Sequence, residues 1–273
     1  MDNGKRKKEE KPLLLLSFDI EEFDLPQEYG AAVPEREKFE ISRKGTERIL
    51  ALLAKHNVHA TFFITGAFAR KYPSLIRQMA EEGHETASHG MDHSFFEIAH
   101  LKESCDILKE ISGVDSVPGF RMARLAEVDK KEILRAGYRY ESSLNPVWLP
   151  GRYNNFSAPL LPFRESCGLL QFPVSALPLV RFPLFWLSFK CLPLPLYKLL
   201  SVITVKMTRY FNMYSHPWEY CEEASDKKWQ IPSYIVKHAG NAQLARLEEL
   251  ILCLGKRGRF VTFQEFMKEE NRL

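Results

Sequence analysis

Residues 13–24 read LLLLSFDIEEFD: four leucines and a Ser-Phe pair run straight into four carboxylates, Asp19, Glu21, Glu22 and Asp24. An apolar run of this length is too short to cross a membrane and reads as a strand buried on both faces. Acids at the end of such a strand fall at its carboxyl edge, where parallel α/β folds build their sites. Side chains alternate across a strand, so Asp19 and Glu21 share one face and Glu22 takes the other. The alternative is a charged loop that merely follows a core strand.

The pattern beyond it fixes the class. Ile49, Leu52 and Leu53 stand at helical spacing in 43–56, ahead of a strand-like 59–65. A helix at 72–82, a strand at 84–88, a helix at 101–111, a strand at 117–121, a helix at 127–136 and a strand at 138–142 follow with short joins. That alternation predicts a parallel sheet or barrel covered by helices. Residues 25–36 read as an irregular polar segment and 145–162 as a loop. Residues 177–205 are apolar but broken by Pro178, Pro183, Pro193 and Pro195, and they carry Arg181, Lys190 and Lys198. Prolines and cations together argue against a spanning helix. Core and lid of the same domain is the expectation, against an apolar face turned to a membrane or a lipid-bearing substrate. A strand at 210–215, a helix at 241–254 and a last strand at 260–263 complete the chain. The organisation is a flexible tail at 1–11 and one domain over 12–270, with 177–205 as an apolar, proline-rich insertion or lid.

Bulk properties remove several function classes. With 45% apolar and 27% charged residues the chain is an ordinary globular composition. A net charge of +3 without a long basic stripe beyond the N-terminus gives no reason to expect nucleic acid. Five widely spaced cysteines contain no C-x-x-C, so neither a disulfide framework nor a zinc ribbon is expected, and reduced thiols fit. The basic start is interrupted by acids and lacks a small-residue cleavage site, so a signal peptide is not expected. A cytoplasmic location, at the inner face of the membrane, is the corresponding expectation.

His89-Gly90-Met91-Asp92-His93 is the sharpest local motif. Two imidazoles four residues apart can face the same way on one turn and give a metal two ligands. A hydrolytic zinc site takes three protein ligands and a water, so a carboxylate is needed, and the Asp19/Glu21 pair can supply it. Two surface histidines are the alternative, and the placement after a strand, in phase with the acids of the first, argues against it.

In order, the chain carries Ser17-Phe18-Asp19-Ile20-Glu21, Ser88-His89-Gly90-Met91-Asp92-His93, Gly119-Phe120-Arg121, Tyr140-Glu141-Ser142-Ser143 and His216-Pro217-Trp218-Glu219. This ordered set resembles the polysaccharide deacetylase (NodB-like) family across residues 12–270. The resemblance implies an α/β fold, a distorted (β/α) barrel, and hydrolysis of acetyl groups with a bound divalent metal, zinc first. It implies His89 and His93 as ligands. The family's first motif is usually two adjacent aspartates, whereas Ile20 occupies the second position here. A branch of the family has its ligand one residue later, which makes Glu21 the third ligand and Asp19 the general base. Glu22 replaces Glu21 if a bulge flips the strand.

The resemblance further implies Arg121 as the residue orienting the base, and an arginine ending a buried strand is the alternative. The family's Arg-x-Pro-aromatic is here Arg121-Met122-Ala123-Arg124, which alters one half of the oxyanion site. Arg124 becomes a cation expected to meet an anionic group such as a phosphate. His216 is the implied general acid, Tyr214 and Trp218 the sugar-binding floor, and Glu141 a group orienting a catalytic partner. The expected substrate is an acetylated sugar, N-acetyl before O-acetyl, in a glycan or a lipid-linked or phosphate-bearing precursor, with peripheral membrane contact. The other readings are a cyclic amide or imide hydrolase of the same superfamily and a non-catalytic glycan- or membrane-binding relative.

Overall fold

The computed structural model describes residues 10–270. The tail expected over 1–11 therefore lies mostly outside the described residues. Strands β1 (Leu13–Ile20), β2 (Thr61–Ile64), β3 (Glu85–Ser88), β4 (Gly119–Phe120) and β5 (Tyr140–Glu141) come in chain order. Two short arms, β6 (Trp148–Leu149) and β7 (Tyr153–Asn154), form a hairpin. Then come β8 (Phe163–Arg164), β9 (Leu170–Gln171), and a second hairpin of β10 (Ala176–Leu177) and β11 (Phe182–Pro183). The last strands are β12 (Tyr210–Ser215) and β13 (Arg259–Val261).

The main sheet runs β12-β1-β2-β3-β4-β5-β9-β8, with β13 also against β1. Its pairs are parallel except β8 with β9. The seam between β9 and β12 is bridged irregularly. The Ser175 N–H donates to the Asn212 carbonyl at 2.9 Å and the Asn212 N–H to Ser175 Oγ at 2.8 Å. The result is the distorted (β/α) barrel expected.

β1 shows how the sequence places the site. Leu14, Leu16, Phe18 and Ile20 point outward into the core shared with the helices, each burial being worth roughly 1.5–3 kcal/mol. Leu15 points inward, among Phe63, Ala87, Tyr140 and Phe172. The same phase carries Ser17, Asp19 and Glu21 up the inside of the barrel, all buried.

Helix α1 (Glu35–His56) begins eight residues before the predicted 43. Pro34 precedes it and Glu35 and Glu37 sit in its first turn, signals that suit a helix start. The expected irregular stretch before it contains a 3₁₀ turn, Leu25–Tyr29. Helices α2 (Gly66–Lys71), α3 (Pro73–Glu81), α4 (Ala99–Ser112) and α5 (Lys130–Arg135) follow the strands as the alternation required. The proline-rich segment becomes α6 (Trp186–Cys191) and α7 (Leu194–Thr208), broken at Pro193. α8 (Asn241–Gly255) matches expectation, whereas the final predicted strand stops at Val261 and gives way to α9 (Phe263–Glu270). All five cysteines are free. No helix among the described residues is long and apolar enough to cross a membrane.

Candidate active site

The strand ends deliver their side chains into one cavity of about 240 Å³, lined by Asp19, Glu21, His89, His93, Tyr214 and His216 among others. The two motif histidines do not share a helical turn. His89 directly follows β3, Gly90 turns the chain at φ +83°, and an irregular loop brings His93 back. α2 pins that loop, its first two N–H groups donating to the carbonyls of Gly90 and Met91, both at 2.9 Å. Asp92 steadies the far side by accepting from the N–H groups of Ser94 and Phe95.

Glu21, His89 and His93 form a cluster whose ligand atoms all lie within 4.8 Å of one another. Glu21 Oε2 is 3.2 Å from His89 Nε2 and 3.1 Å from His93 Nε2. Tetrahedral zinc with bonds of about 2.0–2.1 Å sets its ligand atoms roughly 3.3 Å apart. Each imidazole is oriented by its other nitrogen. His89 Nδ1 donates to the Arg121 carbonyl at 2.9 Å, and His93 Nδ1 to Asp24 Oδ1 at 2.8 Å. Both Nε2 atoms are thereby left as the ligand atoms, the usual second partner of a metal-binding histidine. A carboxylate and two so-oriented imidazoles fit a divalent transition metal. Burial works against charge on Glu21, but His93, His216 and His89 more than offset it and hold its carboxyl at about 2. Burial likewise opposes charge on His93, and Glu21 and Asp24 raise that imidazole to about 9.

Glu21, and not Glu22, stands in the cluster, in keeping with the strand alternation. Glu22 points away, accepts from Thr65 Oγ1 at 2.8 Å, and burial raises its carboxyl above the ordinary range. Asp19 sits beside the cluster and takes Arg121 Nη1 at 2.6 Å. Arg121 is fully buried, and its other donors are used on Ser17 Oγ, the Ser142 carbonyl and Ser142 Oγ. Its guanidinium carbon lies 4.0 Å from the centre of the Phe63 ring. This is a clamp on one rotamer.

The opposite wall holds His216. Its Nδ1 donates to Glu219 Oε1 at 3.0 Å, and the same oxygen takes its backbone N–H at 2.9 Å. The ring stacks on Trp218 at 5.4 Å and meets the edges of Trp186 and Tyr214. Burial opposes its protonation, and Glu21 and Glu219 together still raise it above the ordinary value. Behind it, Lys190 Nζ is 2.9 Å from Glu219 Oε2 and 2.7 Å from the Ile235 carbonyl, both charged groups completely buried. Burial alone would raise the Glu219 carboxyl; Lys190 and His216 bring it below the usual range.

Residues 6–139 match the polysaccharide deacetylase family profile, a range that holds Asp19, Glu21, His89, His93 and Arg121 and ends before His216. The matched residues are those of the polysaccharide deacetylase family. Within that family, a chitooligosaccharide deacetylase of Sinorhizobium fredii (strain NBRC 101917 / NGR234) is 52% identical over 48 residues. That match spans 18% of this chain and only 22% of the relative's length. A Mycobacterium smegmatis protein named for the polysaccharide deacetylases shares the fold with a TM-score of 0.66 at 19% identity, over 96% of this chain and 91% of that one. Puue allantoinase shares it with a TM-score of 0.59 at 18% identity, over 91% and 85%.

Two expectations for this site need correction. Glu141 orients no catalytic partner; its carboxylate pairs with Lys130 at 2.6 Å. The adjacent Ser142 points the other way on the strand and contacts Arg121 instead. Arg124 reaches the cavity but is not a free cation: Glu28 takes its Nε at 2.9 Å and Asp24 lies 3.7 Å from Nη2. The three cations of 177–205 do not form one basic surface. Lys190 is buried on Glu219, Lys198 pairs with Glu249, and Arg181 bonds backbone carbonyls. Tyr214 and Trp218 do line the cavity, joined by Trp186.

Asp24, Glu219 and Lys190 carry parts that the motifs left without a role. Glu219 had a legible signal, since an acid three residues after a turn-starting residue reaches back to its N–H. Lys190 had none.

Proposed function

We propose that this chain is a divalent-metal hydrolase that removes the acetyl group from an amino sugar in a glycan or lipid-linked glycan precursor. One observation carries the reading. The Glu21/His89/His93 cluster, the Asp19–Arg121 pair and the His216–Glu219 pair surround a single cavity. Glu21, His89 and His93 would hold the metal, with Zn2+ the first choice for a carboxylate and two imidazoles. When bound, such a cation lowers the pKa of a water and polarises a carbonyl.

The chain's own groups do the rest. Asp19 accepts the proton of the attacking water, and Arg121 holds the carboxylate in line for it. His216 delivers a proton from Nε2 to the departing nitrogen, because Glu219 fixes the proton on Nδ1. Trp186, Trp218 and Tyr214 give the sugar ring an aromatic wall and displace water from it. An anionic group on the substrate would meet Arg152, which lines the cavity mouth, in place of the tethered Arg124.

The test is acetate release from N-acetylchitooligosaccharides by zinc-loaded protein. Asp19→Asn should lower kcat by about 10²–10⁴ while bound metal is unchanged. His89→Ala should lose the metal. A fully active Asp19→Asn variant, or turnover of a cyclic amide without acetate release, would overturn the reading.

A further inference from the structure

Between Glu141 and Glu219 the chain carries seven Lys and Arg residues and a single acid, Glu165. The same segment contributes most of the exposed large apolar side chains among the described residues. Leu179 is 87% exposed, Val180 66% and Trp148 62%. Of these cations Lys190 is buried on Glu219 and Lys198 pairs with Glu249, while Arg152, Arg164 and Lys206 are exposed in the same segment as the apolar side chains.

Two hairpins of this segment adjoin the cavity. On the β6–β7 hairpin, Leu149 and Tyr153 line the cavity while Trp148 faces outward. The β10–β11 hairpin runs directly into Phe185, Trp186 and Leu187, which line it from another side. Arg181 locks the two together, donating to the carbonyls of Pro146 at 3.0 Å and Ala158 at 2.7 Å and lying over the ring of Phe156. The exposed residues are therefore presented on a braced surface.

The tip of the β10–β11 hairpin is strained as well as apolar. Leu179 and Arg181 adopt φ of +72° and +50°, a region where turns ordinarily take Gly or Asn. A residue chosen only to turn the chain would relieve that strain and remove the exposed leucine. Next to the hairpin, α7 continues the apolar surface with Leu199 and Met207, beside the exposed Lys206.

We propose that this surface docks on an anionic lipid bilayer, with Leu179, Val180 and Trp148 entering the interface and the cavity opening toward the headgroups. Apolar tips with an indole suit the boundary between acyl chains and headgroups. The near-absence of acids from 142–218, with Arg152 lining the cavity and Arg181 joining its two hairpins, is complementary to anionic lipid and opposed to a basic partner. The partner follows from the surface alone, independently of the deacetylase reading.

The experiment is flotation of the full chain with phosphatidylcholine vesicles, with and without phosphatidylglycerol. The wild type should float with the phosphatidylglycerol vesicles, less so as salt rises. A Leu179→Gly/Val180→Ser double variant should lose at least tenfold in binding. Its glycine suits the left-handed position, so circular dichroism should show an unchanged fold, and acetate release from soluble chitooligosaccharides should match the wild type. A wild type that stays with the lipid-free fraction, or a double variant that floats equally well, overturns the proposal. A dimer in solution that the double variant converts to monomer also overturns it, by assigning the surface to a second copy. Failure of deacetylation with intact flotation would instead count only against the proposed activity.

Discussion

Replacing Lys190 with methionine isolates the least expected part of the site. Lys190 and Glu219 are both completely buried and 2.9 Å apart. At an effective dielectric of about 20, a pair at this distance attracts by roughly 6 kcal/mol, against a desolvation cost of several kcal/mol per ion. Removing only the lysine leaves Glu219 buried with His216 and a distant Gln243 amide, 3.5 Å away, as side-chain partners. A loss of about 3–5 kcal/mol follows. The Lys190→Met/Glu219→Gln double variant removes both charges while keeping an acceptor for His216 Nδ1, and should regain much of that loss. Urea denaturation of the wild type, both single variants and the double variant gives the coupling, expected to be on the order of 2–3 kcal/mol. Activity supplies the second readout. Without Lys190 the Glu219 carboxylate pulls harder on the His216 proton, so the alkaline limb of kcat should move up in pH; with Glu219→Gln it should move down. A single-variant loss below about 1 kcal/mol, or strictly additive losses, would refute the buried-pair reasoning.

Three further outcomes are expected. Asp24→Asn weakens the group that orients His93, so competition with a chelator should show metal affinity down by about 10–100-fold with His93 still in place. Gly45→Ala should destabilise despite the better helix propensity of alanine, because its Cβ would stand 1.8 Å from the Pro217 carbonyl oxygen. The shift should cost about 1–3 kcal/mol in chemical denaturation and, by displacing the turn after His216, should also lower kcat. His84 is held near 4, first by burial and then by His59, so its contribution is complete above pH 6.5 and is lost as pH falls toward 4, by up to about 3 kcal/mol. Glu85, pushed by burial up to about 7, acts in the opposite sense, losing stability as pH rises from 4.5 to 7. These two contributions offset each other across the interval, so His84→Gln should gain stability on acidification relative to the wild type. A His84→Gln profile parallel to the wild type would show that His84 titrates normally.

The period of two in residues 13–21 determined by itself that Asp19 and Glu21 share the barrel interior while Ile20 and Glu22 do not. The histidine spacing after a strand likewise singled out His89 and His93 before any geometry was visible, whereas His216 was implied only by the family resemblance. The strand reading holds because it depends on a backbone repeat within a few residues, whereas the two histidines meet through an irregular loop and not through a shared turn. What the tertiary structure alone decided are the partners of those groups. Asp24 reaches His93 across 69 positions, Arg121 reaches Asp19 across 102, and Lys190 lies under Glu219 because α6 packs against the base of the β12 turn. Glu141 shows the converse: the family resemblance implied a role for it, and one step of strand pleat sent it to Lys130. Pairing between distant segments is set by how the barrel closes, and closure here runs through Ser175 and Asn212, neither marked by any local pattern. The candidate groups were legible in the strand ends; their partners are residues whose importance exists only once the chain has folded.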